Sequence, residues 1–254
     1  MKIARFSTGG DPRFGIVDDG ELVVLKGDPM FSGFDTTDER VPLAEVKLLA
    51  PVIPRSKVIA VGRNYRAHAA EGGNEVPVEP MLFFKPNTSV IGHDDAIILP
   101  PHSTKVEFEG ELAVIIGSIA KNVAEADADS VIFGYTIAND VSERTWQKSD
   151  GQWARAKGAD TFCPLGPVIQ TEFDVRASSV QTHVNGDLKQ DAPFTEMVHS
   201  VASVIAFASA VFTLLPGDVI LTGTPAGVGP IVDGDVVEIT VAGIGTLRNS
   251  VRAG

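Results

Sequence analysis

Short alternating runs of apolar and polar residues dominate the chain and predict more strands than helices. The N-terminal part begins with three such runs, separated by turns rich in Gly, Pro and Asp, at 2–6, 13–17 and 21–25. This spacing is typical of β hairpins. Residues 26–45 have few periodic apolar positions and predict a loop, and the two prolines within 50–54 indicate a boundary. The pattern therefore predicts a small β domain over 1–54 and a larger domain over 55–254.

The larger domain is predicted to mix strands with a few helices. Its strands are expected at 57–61, 80–86, 106–117, 133–140, 162–170, 180–184, 187–191, 217–225, 235–243 and 244–251, with a hairpin turn at Asn185-Gly186. Its helices are expected at 65–71, 124–132, 141–153 and 197–215. Because many connections are too short for βαβ crossovers, we expect an α+β fold rather than a doubly wound sheet.

The segment 197–215 approaches the length of a membrane span, since its nineteen residues carry no formal charge. It also contains His199 and four hydroxyl side chains, and it lacks the flanking Lys or Arg that would anchor it at a membrane surface. Apolar residues recur in it at helical spacing. The segment is therefore interpreted as a helix packed in the core of a large protein, and no membrane partner is expected.

Composition and charge exclude several classes of protein. The 254 residues include 44% hydrophobic residues, enough to form a folded core. A net charge of −12 argues against binding to nucleic acid, which requires a basic face. A single cysteine, Cys163, excludes an intrachain disulfide framework and a multi-cysteine metal site. The first residues have no long apolar run, so a cytoplasmic location is expected.

Three carboxylates share one face of the predicted strand 106–117. Glu107, Glu109 and Glu111 alternate with apolar residues, which places neighbouring carboxylates roughly 6–7 Å apart. Like charges this close are unfavourable unless water solvates them or a cation bridges them. Two interpretations follow, a solvated strand face or a divalent-metal site. No Cys cluster or His pair lies nearby, so the metal would be Mg²⁺ or Mn²⁺ rather than Zn²⁺.

Two further features are compatible with chemistry at this face. Asp140 ends a predicted strand, where it would either cap the next helix or bind an ion. His68 and Glu71 lie three residues apart on a predicted helix. They form either a surface pair or a dyad in which the carboxylate orients the imidazole as a base.

Two glycine-containing loops flank these residues. The loop 222–229 lacks the Gly-Lys-Ser/Thr ending of a phosphate loop, so nucleotide binding is rejected. It is interpreted either as a tight turn or as a turn that offers N–H groups and a Thr hydroxyl to a carboxylate. Residues 72–80, with adjacent glycines and two prolines, are expected to form a mobile loop.

Taken together, the motifs resemble the fumarylacetoacetate hydrolase family in residue type and in order over about 57–251. They are NYRAHAAE at 64–71, FFKP at 83–86, EGELAVIIG at 109–117, GYTIANDVSER at 134–144, KGADTFCPLGP at 157–167 and PGDVILTGTPAGVG at 216–229. The resemblance implies a mixed β-roll, usually dimeric, with a smaller and more variable N-terminal part.

The same resemblance implies roles for nine residues. It implies a Mg²⁺ or Mn²⁺ site at Glu109, Glu111 and Asp140, a water-activating dyad at His68 and Glu71, a lysine near metal and substrate at Lys157, and a grip on the substrate carboxylate by Arg144, Gln147 and Thr224. Glu107 would then lie behind the ligands or be exposed. Thr145 and Trp146 depart from the family pattern and are expected to reshape the pocket wall.

The implied function is that of a metal-dependent enzyme acting on a small 2-oxo (1,3-dicarbonyl) acid through an enolate. Hydrolysis of a C–C bond, as in acylpyruvate hydrolases, or decarboxylation, as in oxaloacetate decarboxylases, is favoured. One alternative is isomerisation of 2-hydroxyhepta-2,4-diene-1,7-dioate (5-carboxymethyl-2-hydroxymuconate) in aromatic degradation. Another is a non-catalytic binding or structural homologue. The only partners expected are the small anionic substrate and a second copy of the chain.

Overall fold

The computed structural model describes residues 1–254 and contains twenty strands and five α-helices. The first ten strands in chain order are β1 (Lys2–Ser7), β2 (Arg13–Asp18), β3 (Glu21–Leu25), β4 (Thr36–Pro42), β5 (Lys47–Leu48), β6 (Val58–Gly62), β7 (Met81–Lys85), β8 (Val90–Ile91), β9 (Ile97–Leu99) and β10 (Val106–Phe108). The remaining strands are β11 (Gly110–Ile116), β12 (Ile132–Asn139), β13 (Ser142–Glu143), β14 (Cys163–Gln170), β15 (Ser179–Val184), β16 (Asp187–Pro193), β17 (Val219–Leu221), β18 (Gly229–Pro230), β19 (Val236–Val241) and β20 (Gly245–Ala253).

The helices are short, and most of them stand next to strand ends. They are α1 (Pro29–Ser32), α2 (Arg66–Glu71), α3 (Arg144–Ser149), α4 (Ala154–Gly158) and α5 (Val201–Val211). Single 3-10 turns occur at Leu43–Glu45, Asn87–Ser89, Val175–Ala177 and Phe194–Glu196, and a longer 3-10 helix at Glu125–Val131. No helix is long and apolar enough to cross a membrane.

Three sheets organise the molecule. The largest has the order β4-β3-β2-β1-β14-β12-β11-β17-β6-β7, with β5 on β1 and β8 on β14. The second has the order β13-β10-β18, and the third the order β16-β15-β19-β20-β9. Most neighbouring strands are antiparallel, whereas β6 and β17 pair in parallel. The mixed sheets confirm the α+β prediction and the expected β-roll type.

The N-terminal strands continue the central sheet. Lys2 and Ile3 of β1 pair with Gln170 and Ile169 of β14. Phe6 and Leu22 are fully buried, in the same apolar cluster that contains the core of the larger domain. The two predicted domains therefore share a sheet and a core.

The prediction of a loop over 26–45 is wrong in both halves, because α1 forms in the first half and β4 in the second. This strand pairs with β3 at the outer edge of the large sheet, and most of its side chains are exposed. Only Thr37 and Val41 are half-buried, and the other five residues of the strand are exposed. An edge strand packs on one face only and is protected by charge, so its sequence has a weak apolar pattern.

The helix predictions differ in how well their ends were placed. Residues 65–71 and 124–132 are helical, the second as a 3-10 helix. Within the segment 141–153, the first residues form strand β13 and the helix α3 spans only Arg144–Ser149. The helix begins there because Glu143 caps it by accepting a hydrogen bond from the Trp146 N–H. Within 197–215, only α5 is helical. Ser200 caps its start, and Leu214 pairs with Ala120 beyond its end.

Candidate metal centre and active-site cleft

A cleft of about 640 Å³ brings all nine predicted site residues together. Its wall contains His68, Glu71, Glu109, Glu111, Asp140, Arg144, Gln147, Lys157 and Thr224, and also Glu107. These residues come from α2, from the β10–β11 region, from the end of β12, from α3 and α4, and from the loop after β17. A second cavity of about 350 Å³, lined by α1, by residues 51–55 and by one face of the large sheet, contains none of them.

The predicted strand 106–117 breaks at Glu109. Strand β10 belongs to the small sheet and β11 to the large one, so the chain bends between them. Gly110 follows the bend, and a Cβ atom there would lie 2.2 Å from the Thr182 hydroxyl. The bend therefore requires glycine at this position, which lets the carboxylates of Glu109 and Glu111 face the cleft.

The three glutamates of this segment are buried, so the interpretation as a solvated strand face is wrong. Glu107, Glu109 and Glu111 are 6%, 3% and 1% exposed. Glu107 accepts a hydrogen bond from Arg144 Nε at 2.6 Å and forms an ion pair with Lys105. It is therefore a paired residue that contacts the arginine of the cleft, and it is not exposed.

Glu109, Glu111 and Asp140 form a buried acidic triad. One carboxylate oxygen from each residue lies within 4.8 Å of the other two. The Asp140 N–H donates to the Glu109 carbonyl at 2.9 Å, which ties the end of β12 to the bend. The next helix is capped by Glu143 and not by Asp140. The Asp140 side chain instead contacts buried lysine side chains beside the triad.

Two buried lysines contact this triad. Lys157 Nζ lies 2.7 Å from Glu109 Oε2 and 2.7 Å from Asp140 Oδ2. Lys85 Nζ donates to the other oxygen of Asp140, and its side chain is fully buried. Lys85 belongs to the FFKP motif, but its contact with the triad was not predicted from the sequence. The signal that would have identified it is a lysine at the end of an otherwise apolar strand.

Arg144 joins two of the carboxylates. Besides its bond to Glu107, its Nη2 lies 2.6 Å from Glu109 Oε1, an ion pair without hydrogen-bond alignment. Burial alone would raise the pKa of Glu109, but the charges of Lys157 and Arg144 hold that pKa well below its ordinary value. Glu109 is therefore ionised in the folded protein.

Glu111 has the opposite electrostatic environment. Burial raises the pKa of its carboxyl well above the ordinary value, and the charges of Asp140 and Glu109 raise it further. Its one strong hydrogen bond comes from the Gly223 N–H at 2.6 Å, and no cation lies within ion-pair distance. A buried carboxylate without a cation, next to two others, fits a divalent cation. Oxygen donors of this kind suit Mg²⁺ or Mn²⁺.

His68 and Glu71 lie on one face of α2, at the rim of the cleft. His68 Nδ1 is 3.5 Å from Glu71 Oε2, longer than a good hydrogen bond, and it has no other partner. The Gly227 N–H is 3.3 Å from both oxygens of Glu71. The loop after β17 therefore offers N–H groups to a carboxylate, as its second interpretation expected. The Thr224 hydroxyl, which that interpretation also aimed at a carboxylate, instead donates to the Gly110 carbonyl.

Two polar residues of the wall, Gln147 and Thr224, differ in which hydrogen-bonding groups remain free for a ligand. Gln147 accepts from Arg144 Nη1 at 3.0 Å, and its amide nitrogen makes no hydrogen bond. The Thr224 hydroxyl donates to the Gly110 carbonyl at 2.9 Å and accepts from Gln190 at 2.7 Å. The Thr224 backbone N–H has no hydrogen-bond partner. Thr224 thus offers a substrate its N–H more readily than its hydroxyl.

The aromatic wall differs from the expectation. Thr145 hydrogen-bonds to Thr104, and Arg155 stacks on Trp146, whose ring lies outside the cleft. Trp153 lines the cleft instead and packs edge to face on Phe83, with ring centroids 5.2 Å apart. The predicted single helix over 141–153 gave no indication of this position, because Trp153 in fact follows a turn between α3 and α4.

Comparison with family models assigns both parts of the chain. Residues 57–252 match the model described as "Fumarylacetoacetate (FAA) hydrolase C-terminal". Residues 1–51 match a model described as "Rv2993c-like, N-terminal".

Comparison with individual proteins points to the same family. The oxaloacetate tautomerase fahd2 of Xenopus laevis is 41% identical over 232 residues, which cover 87% of this chain and 73% of that protein. A solved 2-hydroxyhepta-2,4-diene-1,7-dioate isomerase from Mycobacterium marinum is 46% identical. It has a TM-score of 0.92, with 100% of this chain and 98% of that chain covered. A maleylpyruvate hydrolase from Sphingobium sp. SYK-6, solved with manganese(II) and pyruvate, is 35% identical. Its TM-score is 0.82, and both chains are fully covered.

Proposed function

The chain belongs to the fumarylacetoacetate hydrolase family, and from this we propose that it is a Mg²⁺- or Mn²⁺-dependent enzyme that acts on a small 2-oxo (1,3-dicarbonyl) acid. The favoured reactions are hydrolysis of a C–C bond and decarboxylation, as in acylpyruvate hydrolases and oxaloacetate decarboxylases. One observation carries the proposal. The acidic triad, the cationic side chains of Arg144 and Lys157, and the His68–Glu71 dyad all line one cleft.

The triad supports a divalent cation as the centre of the reaction. A cation bound by Glu109, Glu111 and Asp140 would act as a Lewis acid for the oxygens of a 2-oxo acid and would favour enolate formation. Lys157, buried against Glu109 and Asp140, supplies a fixed positive charge beside the same place. The chain's own contribution is a preorganised set of buried charges.

Arg144 and Gln147 support binding of the substrate carboxylate. Arg144 is 14% exposed and lies between the triad and the rim of the cleft. The free Gln147 amide donates from the same side, and the Thr224 N–H from the opposite loop. Five carboxylate and five cationic side chains line the cleft. A divalent cation on the triad would therefore give the cleft a net positive charge, which favours an anionic acid although the whole protein is acidic.

The dyad supports hydrolysis. Glu71 would accept a hydrogen bond from the N–H of one imidazole nitrogen of His68 and so orient the ring, and the other nitrogen would take a proton from water. That water then attacks the distal carbonyl of an acylpyruvate. Decarboxylation of oxaloacetate requires no water attack, so it depends on the triad, Lys157 and Arg144.

A panel of acids tests the proposal. Purified protein is assayed with acetylpyruvate and oxaloacetate, after EDTA treatment and after return of Mg²⁺ or Mn²⁺. Turnover of at least one acid that EDTA abolishes and metal restores is expected. In parallel, Glu109→Ala and Asp140→Ala are titrated with Mg²⁺ by calorimetry, and both should lose metal and activity while remaining folded. Unchanged Mg²⁺ affinity in both variants would contradict the metal-site assignment.

Isomerisation is the second candidate, and the names of similar proteins favour it. The Mycobacterium marinum relative is described as an isomerase of an unsaturated dioate, and the Xenopus laevis relative as an oxaloacetate tautomerase. The same dyad would move a proton between carbon and oxygen. A 5-carboxymethyl-2-hydroxymuconate-type compound, followed by ultraviolet absorbance, tests this activity. Conversion of this compound without turnover of the other acids would favour isomerisation over C–C cleavage.

A non-catalytic homologue is the alternative of another class. It predicts metal binding without turnover of any acid in the panel. A cytoplasmic homodimer remains part of our proposal, tested by light scattering of the purified protein and by localisation of the tagged chain.

A further inference from the structure

Gln190 lies on the buried face of β16, where a strand of this pattern usually has an apolar residue. In β16 the buried positions are Gln190 and Ala192, and their neighbours are exposed. Gln190 is 1% exposed and does not line the cleft. A buried amide at such a position costs free energy unless all its polar atoms are hydrogen-bonded.

The Gln190 amide uses its full hydrogen-bonding capacity. Its Oε1 accepts from the Gly110 N–H at 3.0 Å and from the Thr182 hydroxyl at 2.8 Å. Its Nε2 donates to the Thr224 hydroxyl at 2.7 Å and to the Pro225 carbonyl at 2.8 Å. A backbone N–H only donates and a carbonyl only accepts, so the neighbours determine the orientation of the amide.

Three of these four partners belong to the two segments that build the cleft, and the fourth, Thr182, lies on β15. Gly110 lies between Glu109 and Glu111. Thr224 and Pro225 belong to the loop 222–229, whose N–H groups bind Glu111 at one end and Glu71 at the other. The Thr224 hydroxyl also donates to the Gly110 carbonyl, which closes a ring of hydrogen bonds between loop and bend.

Close packing keeps this arrangement from relaxing. A Cβ atom at Gly227, which has a φ of +99°, would lie 2.0 Å from the Lys189 carbonyl. Strand β16 therefore touches the loop directly beside Gln190. A shift of this strand would move the loop that holds both Glu111 and Glu71.

We propose that Gln190 is a positioning residue that fixes the loop 222–229 against the Glu109–Glu111 bend, and thereby sets both the metal ligands and the dyad. This proposal rests on the proposed function for its kinetic part, but its effect on metal affinity does not. Groups that orient metal ligands from behind typically change metal affinity or activity by about 10- to 100-fold when removed.

Gln190→Met tests the proposal, since methionine keeps the length of the side chain and removes the amide. The matched control is Gln181→Met on β15, where the half-buried glutamine makes no side-chain hydrogen bond. Mn²⁺ affinity is measured by calorimetry well below the unfolding temperature, and kcat and KM are measured on whichever acid the wild type converts. Gln190→Met is expected to lose about 10- to 100-fold in Mn²⁺ affinity or kcat, and Gln181→Met less than about twofold.

A second variant keeps the test decisive if Gln190→Met does not fold. Thr182→Val removes one of the four bonds and retains the shape, so a loss of about 2- to 10-fold in Mn²⁺ affinity is expected. Wild-type affinity and kcat in the folded Gln190→Met or Thr182→Val variant would overturn the role of Gln190. Absence of turnover by the wild type would instead overturn the proposed function, and the Mn²⁺ titrations would still decide on Gln190.

Discussion

His68 and Lys157 face the same cleft but serve different parts of the proposed chemistry. Water activation requires a base, whereas decarboxylation of oxaloacetate requires stabilisation of negative charge. His68 reaches the cleft from α2, and Lys157 is buried among the carboxylates. The two side chains can therefore be separated by substitution.

His68→Ala is expected to reduce acylpyruvate hydrolysis by roughly 10²- to 10⁴-fold, the usual contribution of a general base. It should reduce oxaloacetate decarboxylation clearly less. Lys157→Met should impair both reactions, because it removes positive charge beside the developing enolate. Steady-state rates of wild type and both variants on both acids provide the measurement. An equal reduction of both rates in His68→Ala would show that His68 places the substrate rather than activating water.

Glu111 makes the metal-free protein sensitive to pH. Its pKa is raised in the folded state above the ordinary value of 4.5, first by burial and then by Asp140 and Glu109. Above pH 4.5 the unfolded chain releases this proton while the folded protein still holds it. The free energy of unfolding therefore falls as pH rises through the window between the two pKa values.

Thermal midpoints of EDTA-treated wild type and Glu111→Gln, measured from about pH 5 to about pH 8, test this prediction. The wild type should lose more stability than the variant as pH rises, because glutamine has no proton to release. Addition of Mn²⁺ at the upper pH should raise the wild-type midpoint, since the cation binds the ionised form. Parallel curves for the two proteins would contradict the raised pKa.

At the scale of elements, we expect α2 and the segment after it to form the movable side of the cleft. The helix is tied to the rest by few contacts, including the pairing of Tyr65 with Met197 and the hydrogen bonds from Gly227 to Glu71. Beyond the helix, the Pro77 carbonyl contacts the His199 ring nitrogen at 3.2 Å, and Val78 is 96% exposed. Such a segment opens at low cost in free energy.

Binding of substrate should order this segment. Amide exchange over 66–80 is expected to slow when Mn²⁺ and oxalate, an analogue of a 2-oxo acid, are added together. The turn between β2 and β3 lies far along the sheet and serves as the internal control, with unchanged exchange. Equal exchange over 66–80 with and without the two additions would contradict a lid.

At the scale of the whole molecule, the division into 1–54 and 55–254 remains a proposal about sequence units, because the fold joins them. Strand β1 lies between β2 and β14, and Ile3 belongs to the same apolar cluster as Leu165 and Val219. Folding of the N-terminal strands and of the central sheet is therefore expected to be coupled.

Calorimetry of the intact chain should show one unfolding transition, and Mn²⁺ should move that single transition to higher temperature. A ligand at 100 times its Kd adds about 2.7 kcal/mol to the free energy of unfolding. Two transitions, of which only one responds to Mn²⁺, would show that the N-terminal unit unfolds independently.

The sequence by itself determined the family, the α+β class and nine of the residues that line the cleft. The reason is that these signals are local. The dyad lies within one turn of helix α2, two triad members flank a single glycine, and the motifs keep a characteristic order along the chain.

Only the tertiary structure decided how these residues are paired. Lys85 and Asp140 are 55 residues apart, and Gln190 and Gly110 are 80 apart, so no local pattern relates them. The break at Glu109 also has a distant cause, since β10 and β11 join different sheets. Burial, which decides whether a carboxylate is solvated, paired with lysine or left for a cation, arises only when distant segments pack together.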